Sequence, residues 1–463
     1  MGSYAGAAMG AWQQGQMLEL TIDNLSNRGD GVGRWEDRVV FVADTAPGDR
    51  VRSRLTRLKT THGFGKLLKV LAPSALRVRP ACIVADKCGG CQWQHVAYGA
   101  QLAAKRQQII DALRRVGELT DLPESLVAPV LADRPLAYRN KVTYPLARAS
   151  DGTVKAGYYR KGSHQLINLN QCPVQDERLN PLLANLKRDI QRRGWSIYQE
   201  TQHRGKLRHL SFRIGHHTGQ ILLTLVSTEP LDDLESQAQE WLAAYPEMVG
   251  VCLNLNPAKT NAIFGPQTRC VAGQPYLEES FAGLRFQIRS TTFFQVNTVQ
   301  AERLVQLMLT ELNLQGTETV VDVYCGVGTL TLPLAQRVAR CIGIESQPEA
   351  VAQAKQNAVL NGLQNTNFYV GKAETPLAEL LAGGIRPDIV MLDPPRKGCD
   401  PAVLEALLQL KPGRIAYMSC NPATLARDLK HLCGAGGYRL TKVQPADFFP
   451  QTAHVECVAF LIA

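Results

Sequence analysis

The run Thr319-Val320-Val321-Asp322-Val323-Tyr324 passes directly into Cys325-Gly326-Val327-Gly328-Thr329. A short β-branched run that ends in a glycine turn and continues as a helical pattern is a strand–turn–helix unit. From Phe293 onward such units repeat. Cys341-Ile342-Gly343-Ile344-Glu345 is the next expected strand, with a helix over 348–362. Asp388-Ile389-Val390-Met391-Leu392 is a later one and ends in Asp393-Pro394-Pro395-Arg396. Arg414-Ile415-Ala416-Tyr417-Met418 is another and ends in Ser419-Cys420-Asn421-Pro422. Buried strands alternating with helices demand crossover connections. The predicted fold is therefore α/β, a doubly wound parallel sheet that binds ligands at the carboxyl ends of its strands.

The strand ends carry chemistry. The glycine loop is a short G-x-G, which lets backbone approach a ligand at a strand–helix turn. Glu345 closes the next strand, where a carboxylate can accept from both hydroxyls of a ribose. That pair alone also suits a nicotinamide dinucleotide. Asp322 ahead of the loop and the Asp393-Pro394-Pro395 strand end favour S-adenosylmethionine. A cysteine at a strand end is more often packing than chemistry. Cys420 gains a role if the substrate is a uracil. C5 of uracil is a poor nucleophile until a thiolate adds to C6, and the adduct then needs a base to remove the C5 proton. Glu456, just before the last apolar run, is the candidate carboxylate.

The first part of the chain reads differently. Over 14–72, short alternating runs such as Leu18-Glu19-Leu20-Thr21-Ile22 and Arg50-Val51-Arg52-Ser53-Arg54-Leu55 are separated by turns. Several short strands in so few residues predict a small OB-like barrel, a fold that takes oligonucleotides. Alternating basic positions would place Arg50, Arg52 and Arg54 on one phosphate-facing side. Gly29-Asp30-Gly31-Val32-Gly33, followed by Pro47-Gly48-Asp49, resembles a TRAM domain, an RNA-binding module. Next come Cys82, Cys88 and Cys91 as C-x5-C-G-G-C, with Cys172 far downstream. Four thiolates suit Zn²⁺ or an iron–sulfur cluster, and the spacing alone does not choose. A helix is expected over 98–119. Tyr138–Pro145, 157–160 and 210–214 read as strands mixing aromatic and basic residues, either an RNA-stacking surface or an ordinary core.

Composition sets the remaining limits. A chain of 463 residues should hold two to four domains. Its net charge of +10 suits a polyanionic partner. No apolar run reaches the ~18 residues that span a bilayer, and residues 1–13 read as a flexible tail without an export signal. The twelve cysteines are then expected to be reduced, in a cytoplasmic protein without membrane or protein partner.

Ser419-Cys420-Asn421-Pro422-Ala423-Thr424-Leu425-Ala426-Arg427-Asp428, Leu392-Asp393-Pro394-Pro395-Arg396 and Phe449-Pro450-Gln451-Thr452-Ala453-His454-Val455-Glu456 resemble the RNA (uracil-5-)-methyltransferase family. With the barrel and the four cysteines, the chain is most similar to the members acting on 23S ribosomal RNA. The resemblance implies a Rossmann-like S-adenosylmethionine domain, Cys420 as nucleophile and Glu456 as proton-abstracting base. It implies cofactor contacts from Gln295, Tyr324, Glu345 and Asp393, with Thr329 and Lys372 as weaker candidates. It also implies a [4Fe-4S] cluster on Cys82, Cys88, Cys91 and Cys172. The domains expected are a barrel over 14–72, a central RNA-binding domain over 73–97 and 120–288, and a catalytic domain over 98–119 and 289–463. Rival readings are the same reaction on transfer RNA, a catalytically silent RNA-binding or assembly factor, and a redox iron–sulfur protein.

Overall fold

The computed structural model describes residues 12–435 and 437–463, so most of the expected tail lies outside it. The chain forms two compact units, one of residues up to 86, 91–108 and 451–453, the other of 87–90, 109–450 and 454–463.

In the first unit, β1 (Met17–Leu25), β2 (Gly31–Trp35), β3 (Arg38–Val42), β4 (Arg50–Leu58) and β5 (His62–Ala72) close into a barrel in the order β1-β2-β3-β5-β4. Period-two patterning explains it. Leu18, Leu20, Ile22, Val40, Val42, Val51 and Leu55 point inward and are buried, while Arg50, Arg52 and Arg54 alternate outward and are exposed. Gly33 is needed where strands close in, because a Cβ there would lie 2.4 Å from the Thr21 carbonyl oxygen.

The second unit holds two seven-stranded sheets. The first joins β6 (Lys141–Arg148), β7 (Val154–Tyr159), β8 (Leu166–Asn168), β9 (Leu207–Ile214), β10 (Ile221–Ser227), β11 (Met248–Leu255) and β12 (Gln267–Gly273) in the order β12-β11-β10-β9-β6-β7-β8. The aromatic and basic strands divide here: Tyr144 and Phe212 are 0% exposed and Arg213 is 3% exposed, so they fill a core, whereas Tyr159 is 39% exposed and Arg160 beside it is exposed. A hairpin, β13 (Tyr276–Phe281) and β14 (Leu284–Arg289), follows.

The second sheet is the predicted one. It comprises β15 (Thr319–Val323), β16 (Arg340–Glu345), β17 (Thr366–Val370), β18 (Ile389–Leu392), β19 (Arg414–Ser419), β20 (Arg439–Ala446) and β21 (Glu456–Ile462). The order is β17-β16-β15-β18-β19-β21-β20. The five strands from β17 to β19 are parallel, and β21 runs antiparallel against both β19 and β20. The four residues of β18 are all buried, as strands covered on both faces must be. The chain leaves β15 first toward β16 and later returns to β18 on its other side, so the glycine loop after β15 lies where the strand order reverses. Such a reversal opens a crevice between neighbouring loops. Among the described residues no helix is long and apolar enough to cross a membrane.

Candidate active site

The loop after β15 is held by its own backbone and by Glu345. Tyr324 and Cys325 donate their N–H groups to the Ile344 carbonyl at 2.8 and 2.9 Å. Tyr324 has φ of 72° and Gly328 of 91°, so the turn runs through the left-handed region. The Glu345 carboxylate accepts from the Gly326 N–H at 3.2 Å, the Ser346 hydroxyl at 3.0 Å and the Gln347 N–H at 2.8 Å. It thereby ties the glycine loop to the end of β16. Asp322 is 0% exposed beneath this loop. One of its oxygens accepts from the Thr331 hydroxyl at 2.5 Å, while Oδ1 has no partner. Burial, reinforced by the charges of Asp393 and Glu345, pushes its carboxyl up to about 7.

On the other side of β15, at the ends of β18, β19 and β21, the other group assembles. β18 ends at Leu392 and delivers Asp393, and β19 ends at Ser419 and delivers Cys420. Ser419 is the register partner of Cys457, so the antiparallel β21 starts with Glu456 beside the thiol's strand end. Among the described residues, none donates a hydrogen bond to the Glu456 carboxyl. Burial raises it to about 8, the Asp393 charge adds to the shift and Arg396 opposes it. Burial likewise lifts Asp393 to about 7. The Cys420 thiol is half-buried and shifted upward, first by burial and then by the charges of Glu456 and Asp393, with Arg396 opposing.

One cleft of about 710 Å³ takes in Gln295, Tyr324, Glu345, Asp393, Cys420 and Glu456 together. Lys372 borders it as well, whereas Thr329 borders a small neighbouring space with Gln295 and Asp393. Gln295 is fixed from behind, its carbonyl accepting from Asn140 Nδ2 at 2.9 Å. Sequence reasoning missed Arg396 and Phe293. Arg396 lines the cleft and is the cation that offsets Asp393 and Glu456 at the thiol. It stood in the quoted Asp-Pro-Pro-Arg run, but its direction into the cleft was not readable there. Phe293 lines the same cleft and is 65% exposed. The floor and rim fit a nucleoside-bearing cofactor: a strained glycine loop, a carboxylate at the next strand end, and volume for a drug-sized ligand.

The four expected metal ligands are different. Cys88, Cys91 and Cys172 are buried and Cys82 is partly buried. Cys82 and Cys91 belong to the first unit, and Cys88 and Cys172 to the second. Among the described residues no group of three or more His, Cys, Asp or Glu side chains is arranged to hold a metal ion. The [4Fe-4S] cluster implied by the resemblance is therefore not borne out among the described residues, and no step below passes through one.

The barrel of the first unit carries its own surface. Phe41 and Phe64 are register partners and stack at 5.4 Å between centroids. Arg57 lies 4.1 Å over the Phe64 ring, and Arg54, Arg57, Lys66 and Lys69 are exposed nearby.

Comparison with known proteins agrees with this division. A family model described as tRNA (uracil-5-)-methyltransferase matches residues 97–463, and one described as TRAM domain matches residues 11–68. An uncharacterized RNA methyltransferase of Nostoc sp. is 59% identical over 97% of this chain and 97% of its own. One from Halalkalibacterium halodurans is 40% identical over 96% of each chain. Among solved structures, the tRNA (uracil-54, C5)-methyltransferase of Pyrococcus abyssi in complex with S-adenosyl-L-homocysteine superposes with a TM-score of 0.77. It is 28% identical, covering 96% of this chain and 99% of that one.

Proposed function

Since the chain belongs to the tRNA (uracil-5-)-methyltransferase family and is an S-adenosylmethionine-dependent RNA uracil-5-methyltransferase, we propose that it makes 5-methyluridine in 23S ribosomal RNA, in the cytoplasm, through Cys420 and Glu456. The observation that carries the mechanism is the meeting of Cys420, Asp393 and Glu456 in one cleft with the Glu345 loop.

In this reading Gln295, Tyr324, Glu345 and Asp393 hold the cofactor. Bound there, S-adenosylmethionine supplies an electrophilic methyl group. Cys420 Sγ, as thiolate, adds to C6 of the uracil, and the electron pair of the C5–C6 bond becomes available at C5 for methylation. The Glu456 carboxylate then takes the C5 proton, the C5–C6 double bond re-forms and the thiolate leaves. A base raised to about 8 is well matched to this work, because a stronger base pulls harder on a carbon-bound proton. Arg396 favours the ionised forms of both Cys420 and Glu456. The reacting base must leave its stack to reach a thiol at the bottom of a cleft.

Ribosomal RNA is supported by the four-cysteine pattern, which resembles the 23S members. Transfer RNA is the second reading. The Pyrococcus abyssi tRNA (uracil-54, C5)-methyltransferase aligns over 99% of its length with 96% of this chain, so the barrel does not discriminate. Mapping 5-methyluridine in both RNA classes from a strain lacking the protein decides between them. Loss of a 23S site supports the first reading, and loss confined to tRNA replaces it with the second. The likeness of Cys82, Cys88, Cys91 and Cys172 to the family's cluster ligands is what supports a [4Fe-4S] cluster in the purified protein, with zinc the alternative that their spacing leaves open. Iron and zinc analysis after anaerobic purification tests it, and absence of both metals would remove it.

A further inference from the structure

Behind the nucleophile lies a buried carboxylate with no part in the steps above. Asp428 is 1% exposed on the helix Pro422–Ala435 that follows Cys420. Its Oδ2 accepts from the Tyr417 hydroxyl at 2.6 Å and from the Cys399 backbone N–H at 2.9 Å. Its Oδ1 accepts from Arg427 Nε at 2.8 Å. Arg427 Nη2 in turn donates to the Lys397 carbonyl at 3.0 Å. A second clip runs in parallel, because Asn421 Nδ2 donates to the Arg396 carbonyl at 3.0 Å.

Three pieces of chain therefore meet on one carboxylate: the strand that delivers Cys420, the helix that leaves it, and the loop 393–400. That loop supplies Asp393 and Arg396 to the cleft. The contact is tight. Gly398 has φ of 80°, and a Cβ there would lie 2.6 Å from both Arg427 Nη2 and Asp428 Oδ2. Cys399 carries the link further. It lies between Tyr417 and Tyr324, and both hydroxyls bear on its buried thiol. A buried, multiply bonded charge is costly to leave half-satisfied, so this arrangement resists drift.

We propose that Asp428 is a positioning residue, which locks the loop 393–400 against strand β19 so that Arg396 and Asp393 keep their spacing to the Cys420 thiol. The inference rests on Cys420 being the nucleophile. An Asp428→Asn amide cannot accept at both oxygens. One of its bonds to Tyr417, Cys399 or Arg427 is lost, and the loop gains freedom. A displacement of reacting groups by about 1 Å can cost on the order of a hundredfold in rate.

The test combines three readouts on full-length Asp428→Asn and Tyr417→Phe. The first is kcat against KM for S-adenosylmethionine. The second is the pH profile of Cys420 alkylation, followed on its own peptide by mass spectrometry. The third is thermal midpoint. The groups bearing on the thiol are Glu456, Asp393 and Arg396. Freeing the loop weakens the Asp393 contribution, which opposes the thiolate, more than the smaller Arg396 contribution, which favours it, so the alkylation profile moves to lower pH. The expected result for Asp428→Asn is kcat lower by about tenfold to a hundredfold, KM changed less than about threefold, and the profile lowered. Tyr417→Phe shows the same pattern with a smaller loss, and it carries the test if Asp428→Asn does not fold. An unmoved alkylation profile, or KM and thermal midpoint falling away together with kcat, overturns the proposal. Trapping on 5-fluorouridine RNA keeps the two readings apart. No adduct with the parent protein refutes the nucleophile, whereas an adduct formed as fast by Asp428→Asn refutes only the positioning role.

Discussion

Glu345 and Glu456 are the same side chain at the ends of two strands of one sheet, and their surroundings differ in every respect that sets a carboxylate's behaviour. Glu345 accepts from two backbone N–H groups and a hydroxyl, and it spends its charge on holding the glycine loop. Glu456 is 7% exposed, near the charge of Asp393, and burial raises it to about 8. Hydrogen bonds fix Glu345 in place, whereas burial makes Glu456 a stronger base. Different surroundings let one fold separate binding from proton transfer.

The sharpest contrast is with the group that needs neither. Cys420→Ala should abolish turnover, by more than about 10³-fold, with cofactor binding retained in a calorimetric titration. Retained turnover would detach the thiol from the chemistry. Glu456→Gln comes next. Loss of a positioned base costs on the order of 10²–10⁴-fold, and the loss should fall after methyl transfer, so that a methylated protein–RNA adduct accumulates. Free turnover at the parental rate would put Glu456 with Glu345 as a structural carboxylate. Glu345→Gln should act on the other side of the comparison, raising KM for S-adenosylmethionine about tenfold through lost charge-assisted hydrogen bonds, with a smaller effect on kcat.

The comparison also has a pH signature. The folded Glu456 value of about 8 lies above the ordinary 4.5. A raised carboxyl contributes stability below its unfolded value and loses it as pH rises through the folded one. Asp322 and Asp393, both near 7, act in the same sense. The cofactor-free protein should therefore lose thermal stability between about pH 5 and 8, and Glu456→Gln should flatten part of that slope. Activity runs the other way, with kcat/KM rising toward pH 8 as Glu456 ionises. The smallest effect belongs to the barrel. Arg54→Ala with Arg57→Ala should leave the chemistry of bound RNA intact and lower the salt dependence of RNA affinity by up to about two in slope, near one per lost phosphate contact.

What could be read from sequence follows from which forces are local. The parallel sheet was readable because β15, β16, β18 and β19 are short apolar runs with their own turn signals. The barrel was readable because Arg50, Arg52 and Arg54 alternate with buried residues at period two. Glu345, Asp393, Cys420 and Glu456 were readable because each sits at a strand end, where topology brings distant positions together, whereas Gln295, in the loop between β14 and the next helix, and Tyr324 rested on the family resemblance. The central strands were ambiguous because a mixed aromatic and basic pattern does not reveal whether both faces are covered. Tyr144 and Phe212 are covered. Arg396 was missed because its direction depends on the loop 393–400, and that loop is held by Asp428, which is 28 residues away from its Gly398–Asp400 end in sequence only by way of β19. The four cysteines show the converse, since their spacing left zinc and an iron–sulfur cluster open, the cluster rested on the family resemblance, and among the described residues no group is arranged to hold a metal.

The central claim is that Cys420 attacks the uracil and that release depends on removing a proton from C5. Ribosomal RNA carrying 5-fluorouridine tests it most directly, because fluorine at C5 cannot be abstracted as a proton. Incubated with S-adenosylmethionine, the protein should form a complex with this RNA that survives denaturing electrophoresis and that Cys420→Ala does not form. No such complex with the parent protein, or an undiminished one with Cys420→Ala, would contradict the account.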